Sequence, residues 1–150
     1  MNEPIRTDQA PTPVGVYPHA RRVGSLLFLS GIGPRRPGDG SVPGNRHDGE
    51  GKLVAYDFEA QCLQAFANVR AVLDAAGASL QDLVDITVFL TDIERDFPAF
   101  NRLYAETFAG IDACRTTVGV VALPTPIAIE LKCIASVHGH TRQGPQPDKA

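Results

Sequence analysis

Between Asp57 and Gly77 apolar side chains return every three or four positions, at Phe58, Cys62, Phe66, Val69, Val72, Leu73 and Ala76. That spacing predicts a helix with one buried face, capped by Asp57 and stopped by Gly77. The pattern then turns to strict alternation: "DLVDITVFLTD" sets Val84, Ile86, Val88 and Leu90 against Asp85, Thr87 and Phe89, as a partly buried strand does. A second helical pattern runs from Phe97 to Ala109. Asp96 is its expected cap, Pro98 falls in its first turn, and Phe100, Leu103, Tyr104, Thr107 and Phe108 form an inward stripe before Gly110.

Strands are expected on either side of this unit. "VYPHARRVGSLLFLSGIG" reads as a hairpin turning at Val23-Gly24-Ser25, and "CRTTVGVVALPTPIAIELKCIAS" as a second hairpin turning near Leu123 to Pro126. From Pro34 to about Ala55 the chain is dense in Gly and Pro, long for a structureless loop and therefore mobile or functional. The resulting order, β-β-α-β-α-β-β, predicts an α+β fold with one mixed sheet and both helices on one face. Thr87, Phe89, Gly119 and Val121 would leave the other face only mildly polar, a surface suited to further subunits. Residues 1–12 and 138–150 lack apolar periodicity and are expected to be flexible ends around a domain at 13–137.

Composition narrows the class. With 150 residues, 43% hydrophobic and 21% charged, the chain fits one ordinary globular domain. No run approaches the roughly 20 apolar residues of a spanning helix, and the N-terminus lacks a targeting pattern, so a cytoplasmic protein is expected. A net charge of -3 disfavours a partner as acidic as nucleic acid. Cys62, Cys114 and Cys133 show no CxxC spacing and read as reduced, buried side chains.

Candidate chemistry lies mainly in the last hairpin. Ile127, Ile129, Leu131, Cys133 and Ala135 share one strand face, which puts Glu130 and Lys132 on the other, away from the helices. They are either a solvated charge pair or a carboxylate at a subunit cleft. Arg115 opens the preceding strand as a surface charge, an ion-pair partner or a fork for a substrate carboxylate. In a hairpin Gly119 would stand roughly opposite Glu130, leaving Arg115 about 13 Å further along, so that the two would flank a ligand instead of pairing. Other features are weaker. His138 and His140 lack a third metal ligand, His47 has no partner in view, Cys114 has no nearby His spacing, and Ser30 lacks the GxSxG elbow.

Tyr17, "LLFLSG", "EAQCLQAFANVRAVLDAAGASLQDLV", "TVFLTD", "NRLYAETF", "CRTTVGVVALP" and "IELKCIA" together resemble the Rid (YjgF) family of reactive intermediate deaminases, from about Pro13 to Val137. The resemblance implies a chorismate-mutase-like fold in a homotrimer with ligand clefts between subunits. It also implies that Arg115 grips a substrate carboxylate, that Glu130 orients the water that hydrolyses an imine, and that Tyr17, Ser30 and Gly31 line the cleft. Thr117 stands where other members commonly have cysteine, which puts a thiol role there in doubt.

"SGIGPRRPG", the longer loop before "YDFEAQC", and "DFPAFNRLYAE" are more similar to the 2-aminomuconate deaminase branch. That likeness implies a six-carbon dicarboxylate substrate from aromatic-ring catabolism by way of aminophenol or 3-hydroxyanthranilate, with no metal or organic cofactor. A second carboxylate needs a second cation, for which Arg35 is the first candidate, with Arg36 and Lys132 behind it. The alternatives are a general 2-imino or 2-enamino acid deaminase and a ligand-binding regulatory trimer. An RNA-cleaving role, sometimes attributed to relatives, finds no support in the acidic charge balance.

Overall fold

The computed structural model describes residues 2–138, and the expected flexible tail from 139 onward, with His140, lies outside the described residues. Six strands form one sheet: β1 (Asn2–Ile5), β2 (Ala20–Val23), β3 (Leu26–Leu29), β6 (Leu83–Leu90), β7 (Cys114–Gly119) and β8 (Ile129–Ser136). A two-residue strand β4 (Arg46–His47) pairs separately with β5 (Leu53–Ala55). Two helices, α1 (Phe58–Ala75) and α2 (Ile93–Phe108), cover one face of the larger sheet. The fold is α+β with a mixed sheet, in the order β1-β2-β3-β8-β6-β7. Among the described residues no helix is long and apolar enough to cross a membrane.

Local chemistry explains the helices. The Asp57 carboxylate accepts from the Ala60 amide at 3.1 Å, and Gly77 adopts φ +73° just beyond the end of α1. The second helix begins four residues earlier than expected, because Asp92 and not Asp96 is its cap: the Asp92 side chain accepts from the Arg95 amide at 3.2 Å. Asp96 is instead buried inside the helix, where it accepts from the Tyr56 hydroxyl at 2.7 Å and from Arg95 Nε at 2.9 Å. Phe66 of α1 meets Phe100, Tyr104 and Phe108 of α2 edge-on, which locks the two helices over the sheet.

The last two strands do not form a hairpin. β7 lies at the sheet edge, parallel to β6, and β8 lies on the other side of β6, antiparallel to it. Parallel strands need a long crossover, and α2 supplies it between β6 and β7. The loop after β7 then carries the chain past the end of β6 into the gap beside β3. Gly119 consequently pairs with Leu90 and faces α2, not the open side, and Val121 is fully exposed in the loop beyond the strand.

Two further differences have local causes. A bulge between Leu83 and Asp85 turns Val84 outward and brings Leu83 into the core in its place. The N-terminal stretch, expected to be flexible, contributes β1, which pairs with β2 along its length. Buried His19 holds the following segment: its Nδ1 accepts from the Thr7 amide at 3.4 Å and its Nε2 donates to the Pro11 carbonyl at 2.9 Å, while Ala10 packs into the core.

Candidate active site

Glu130 projects from β8 onto the face without helices, as alternation requires. Its neighbourhood is built by the segment after β3. Ile32 and Leu131 exchange backbone hydrogen bonds at 2.8 and 2.9 Å, and this bridge lays Gly31 against the carboxyl group. Tyr17, Gly31, Gly33, Arg35 and Glu130 line one recess. Ser30 supports its wall: its amide donates to His19 O at 2.9 Å and its hydroxyl to Pro18 O at 2.7 Å, fixing the chain next to Tyr17. Burial raises the Glu130 pKa above its ordinary 4.5, and among the described residues no cation pairs with it.

Arg115 belongs to a different setting. It pairs with Ile86, a core residue, so its side chain leaves β7 on the helix-covered face. There its guanidinium lies over the rings of Tyr104, Phe100 and Phe97, with 4.7, 5.3 and 5.9 Å to the centroids, and donates to Asn101 Oδ1 at 2.9 Å. Thr117 lies two residues along the same face, and its buried hydroxyl has no hydrogen-bond partner among the described residues. Arg115, Thr117, Phe97 and Pro98 border an open depression.

Within one chain the two candidate groups are therefore apart and do not flank a common space. Arg115 is level with Ile86 and Cys133, whereas Glu130 is level with Phe89 and Val118. Two strand spacings and three residues separate their backbones, roughly 14 Å on the diagonal, and their side chains leave opposite faces. Of the three cations considered for a second carboxylate, only Arg35 shares the recess of Glu130, while donating to Thr12 O at 2.8 Å. Arg36 is folded into its own turn with Ser41, and Lys132 Nζ donates to Leu29 O.

The long loop is anchored by amides on the buried face of α1. Gln61 accepts from the Ala128 amide at 2.8 Å and donates to Asn45 Oδ1 at 2.8 Å, and Asn45 in turn donates to Pro126 O at 2.7 Å. Asn68 donates to Gly33 O at 2.8 Å and Arg35 O at 2.7 Å, so it shapes the rim that carries Arg35. Sequence reasoning passed over both; their signal was two polar residues seven positions apart within an apolar helical face. Cys62 and Cys133 are buried as expected, but Cys114 is exposed, because it opens an edge strand pointing away from the helices. Among the described residues no group of three or more His, Cys, Asp or Glu side chains is placed to hold a metal ion.

The sequence profile of the family described as endoribonuclease L-PSP matches residues 7–137. A 2-iminobutanoate/2-iminopropanoate deaminase of Dermatophagoides farinae is 37% identical over 134 residues, covering 89% of this chain and 94% of the relative. RidA from an Antarctic Psychrobacter superposes with a TM-score of 0.78 at 32% identity, over 90% of this chain and 99% of that one. TdcF of E. coli, solved with bound serine, gives a TM-score of 0.77 at 32% identity, over 91% and 99%.

Proposed function

Because the chain belongs to the Rid (YjgF) family, whose profile carries the endoribonuclease L-PSP description, we propose that it is a hydrolytic deaminase of 2-imino and 2-enamino acids acting on the dicarboxylate 2-aminomuconate. One observation carries this reading. Glu130, a desolvated carboxyl without an ion-pair partner among the described residues, shares a recess with Tyr17, Gly31 and the cation Arg35. The pairing of a base with a nearby cation suits an anionic substrate attacked by water. The 2-imino acid deaminase relative supports the reaction class, and the proximity of Arg35 to Glu130 supports the second carboxylate.

Arg115 lies on the opposite sheet face from Glu130, so a site using both takes them from different copies of the chain. We place three such clefts between the subunits of a homotrimer, with the uncovered sheet face turned toward the other subunits. Arg115 holds the carboxylate next to the reacting carbon as a bidentate fork, and Thr117 borders the same rim. The enamine first tautomerises to an imine. Glu130 removes a proton from water as the oxygen adds to the carbon bearing nitrogen and passes it to nitrogen, then carries the proton of the new hydroxyl group to the same nitrogen as the carbonyl forms. The carbon–nitrogen bond breaks, releasing ammonia and leaving the 2-oxo acid, 2-oxo-3-hexenedioate. Arg35 meets the distal carboxylate.

The test is ammonia release from enzymatically generated 2-aminomuconate beside 2-iminobutanoate. A higher kcat/KM on the dicarboxylate is expected. A strong preference for 2-iminobutanoate would replace this reading with the general 2-imino acid deaminase that the Dermatophagoides relative's name describes. No ammonia from either substrate would remove the enzymatic reading altogether.

A further inference from the structure

Arg115 is the only residue of β7 whose side chain is seated by α2 through both a ring system and a hydrogen bond among the described residues. Phe97, Phe100, Asn101 and Tyr104 stand at spacings of three and four along that helix, so they share one face and form a single seat. The rings attract the guanidinium through their negative faces and limit its departure from them. They do little to fix which of its N–H edges points outward. Asn101 supplies that restraint, because its Oδ1 engages Nη2 at 2.9 Å. A guanidinium has five N–H donors, and no other acceptor among the described residues engages this one.

The chemical identity of the acceptor matters as much as its position. A carboxylate at position 101 would form the bidentate ion pair that the guanidinium otherwise offers to a ligand and would cancel its charge. A carboxamide orients the group and leaves its full positive charge available. Other charged groups near the seat do not take over this role: Glu94 borders the depression, yet it forms no ion pair with Arg115.

We propose that Asn101 is a positioning residue that presents the Arg115 guanidinium, uncancelled and edge outward, to an incoming carboxylate. The inference rests on the reading of Arg115 as the carboxylate fork. It extends the site from the strand that carries the cation to the helix that aims it.

The experiment measures binding of 2-oxobutanoate, a monocarboxylate 2-oxo acid, by titration calorimetry to wild type, Asn101→Ala, Asn101→Asp and Arg115→Ala, with the thermal midpoint of each. Asn101→Ala is expected to weaken binding about tenfold, the scale of one hydrogen bond to a charged group. Asn101→Asp is expected to weaken it about a hundredfold or more, since a competing negative charge opposes the ligand directly, while its thermal midpoint stays at or above that of Asn101→Ala. A merely structural role would instead make affinity follow the midpoint. In the side-chain 15N spectrum the restrained Arg115 Nη resonances of wild type should average in Asn101→Ala. Wild-type affinity in both Asn101 variants, with binding lost in Arg115→Ala, overturns the positioning role alone. Wild-type affinity in Arg115→Ala overturns the carboxylate-fork reading on which it stands.

Discussion

Gly31 is the only residue type that leaves room for the Glu130 carboxyl group: a Cβ built at position 31 would stand 2.9 Å from Glu130 Cδ and 3.1 and 3.2 Å from its two oxygens. The contact is with the end of a flexible side chain, and Gly31 has no positive φ, so Gly31→Ala can be accommodated by moving the carboxyl group without straining the backbone. A displacement of about 1 Å at a reacting group costs about a hundredfold in rate. Gly31→Ala should therefore lose kcat on that scale with a nearly unchanged thermal midpoint. Wild-type kcat in this variant would show that the carboxyl position does not govern the reaction.

Glu130→Gln keeps the shape of the side chain and removes its basicity. Its kcat should fall by about 10²- to 10⁴-fold, the usual contribution of a positioned base, with KM changed far less. Steady-state kinetics on 2-aminomuconate check both numbers, and a full rate would end the assignment of Glu130 as proton acceptor.

The same pair of proteins reports on stability. Burial raises the Glu130 pKa in the folded protein above 4.5, so the protonated form is favoured by folding. Its contribution is fully present below the unfolded-state pKa and is lost as pH rises through the folded value. The thermal midpoint of Glu130→Gln should match wild type near pH 4 and move above it as pH increases. Parallel curves across that range would mean that the carboxyl group is not desolvated in solution.

Arg35 is the expected reader of the distal carboxylate. Arg35→Ala should raise KM for 2-aminomuconate about tenfold or more, as loss of a charged hydrogen bond does, and leave KM for 2-iminobutanoate close to wild type. Equal losses on the two substrates would assign Arg35 to the rim's structure instead.

Co-expression separates a shared cleft from a site within one chain. Arg115→Ala and Glu130→Gln should each be nearly inactive alone, but random assortment in a ring of three pairs an intact arginine with an intact neighbouring glutamate in roughly a quarter of the clefts. Recovery of activity near that fraction is expected. Mixed assemblies without activity would place both groups in the same chain's site.

Much of the fold is written in local periodicity, and that part reads directly. The α1 stripe, the β2–β3 turn and the placement of Glu130 off the core face all follow from residues a few positions apart. Asp96 was expected to cap α2, but tertiary packing through Tyr56 draws its side chain inward, and Asp92, four residues earlier, caps the helix instead. The order β8-β6-β7 was not legible, since two strands close in sequence resemble a hairpin until a third takes the place between them. Arg115 was hard to orient for a related reason. Edge strand β7 has neither a clean apolar face nor a clean polar one, so alternation gave no sign that its odd positions look toward α2.

The anchoring of the long loop at Asn45, Gly33 and Arg35 leaves its far end unencumbered. Beyond Arg46 and His47 the chain turns at Asp48, whose side chain accepts from the Glu50 and Lys52 amides at 2.9 Å, and returns through Leu53 to Ala55. The tip, Gly49-Glu50-Gly51, is exposed and touches no element of the core. It is thus a natural splice point, where an epitope or a fluorescent reporter can be grafted while the folded chain supplies the attachment on both sides.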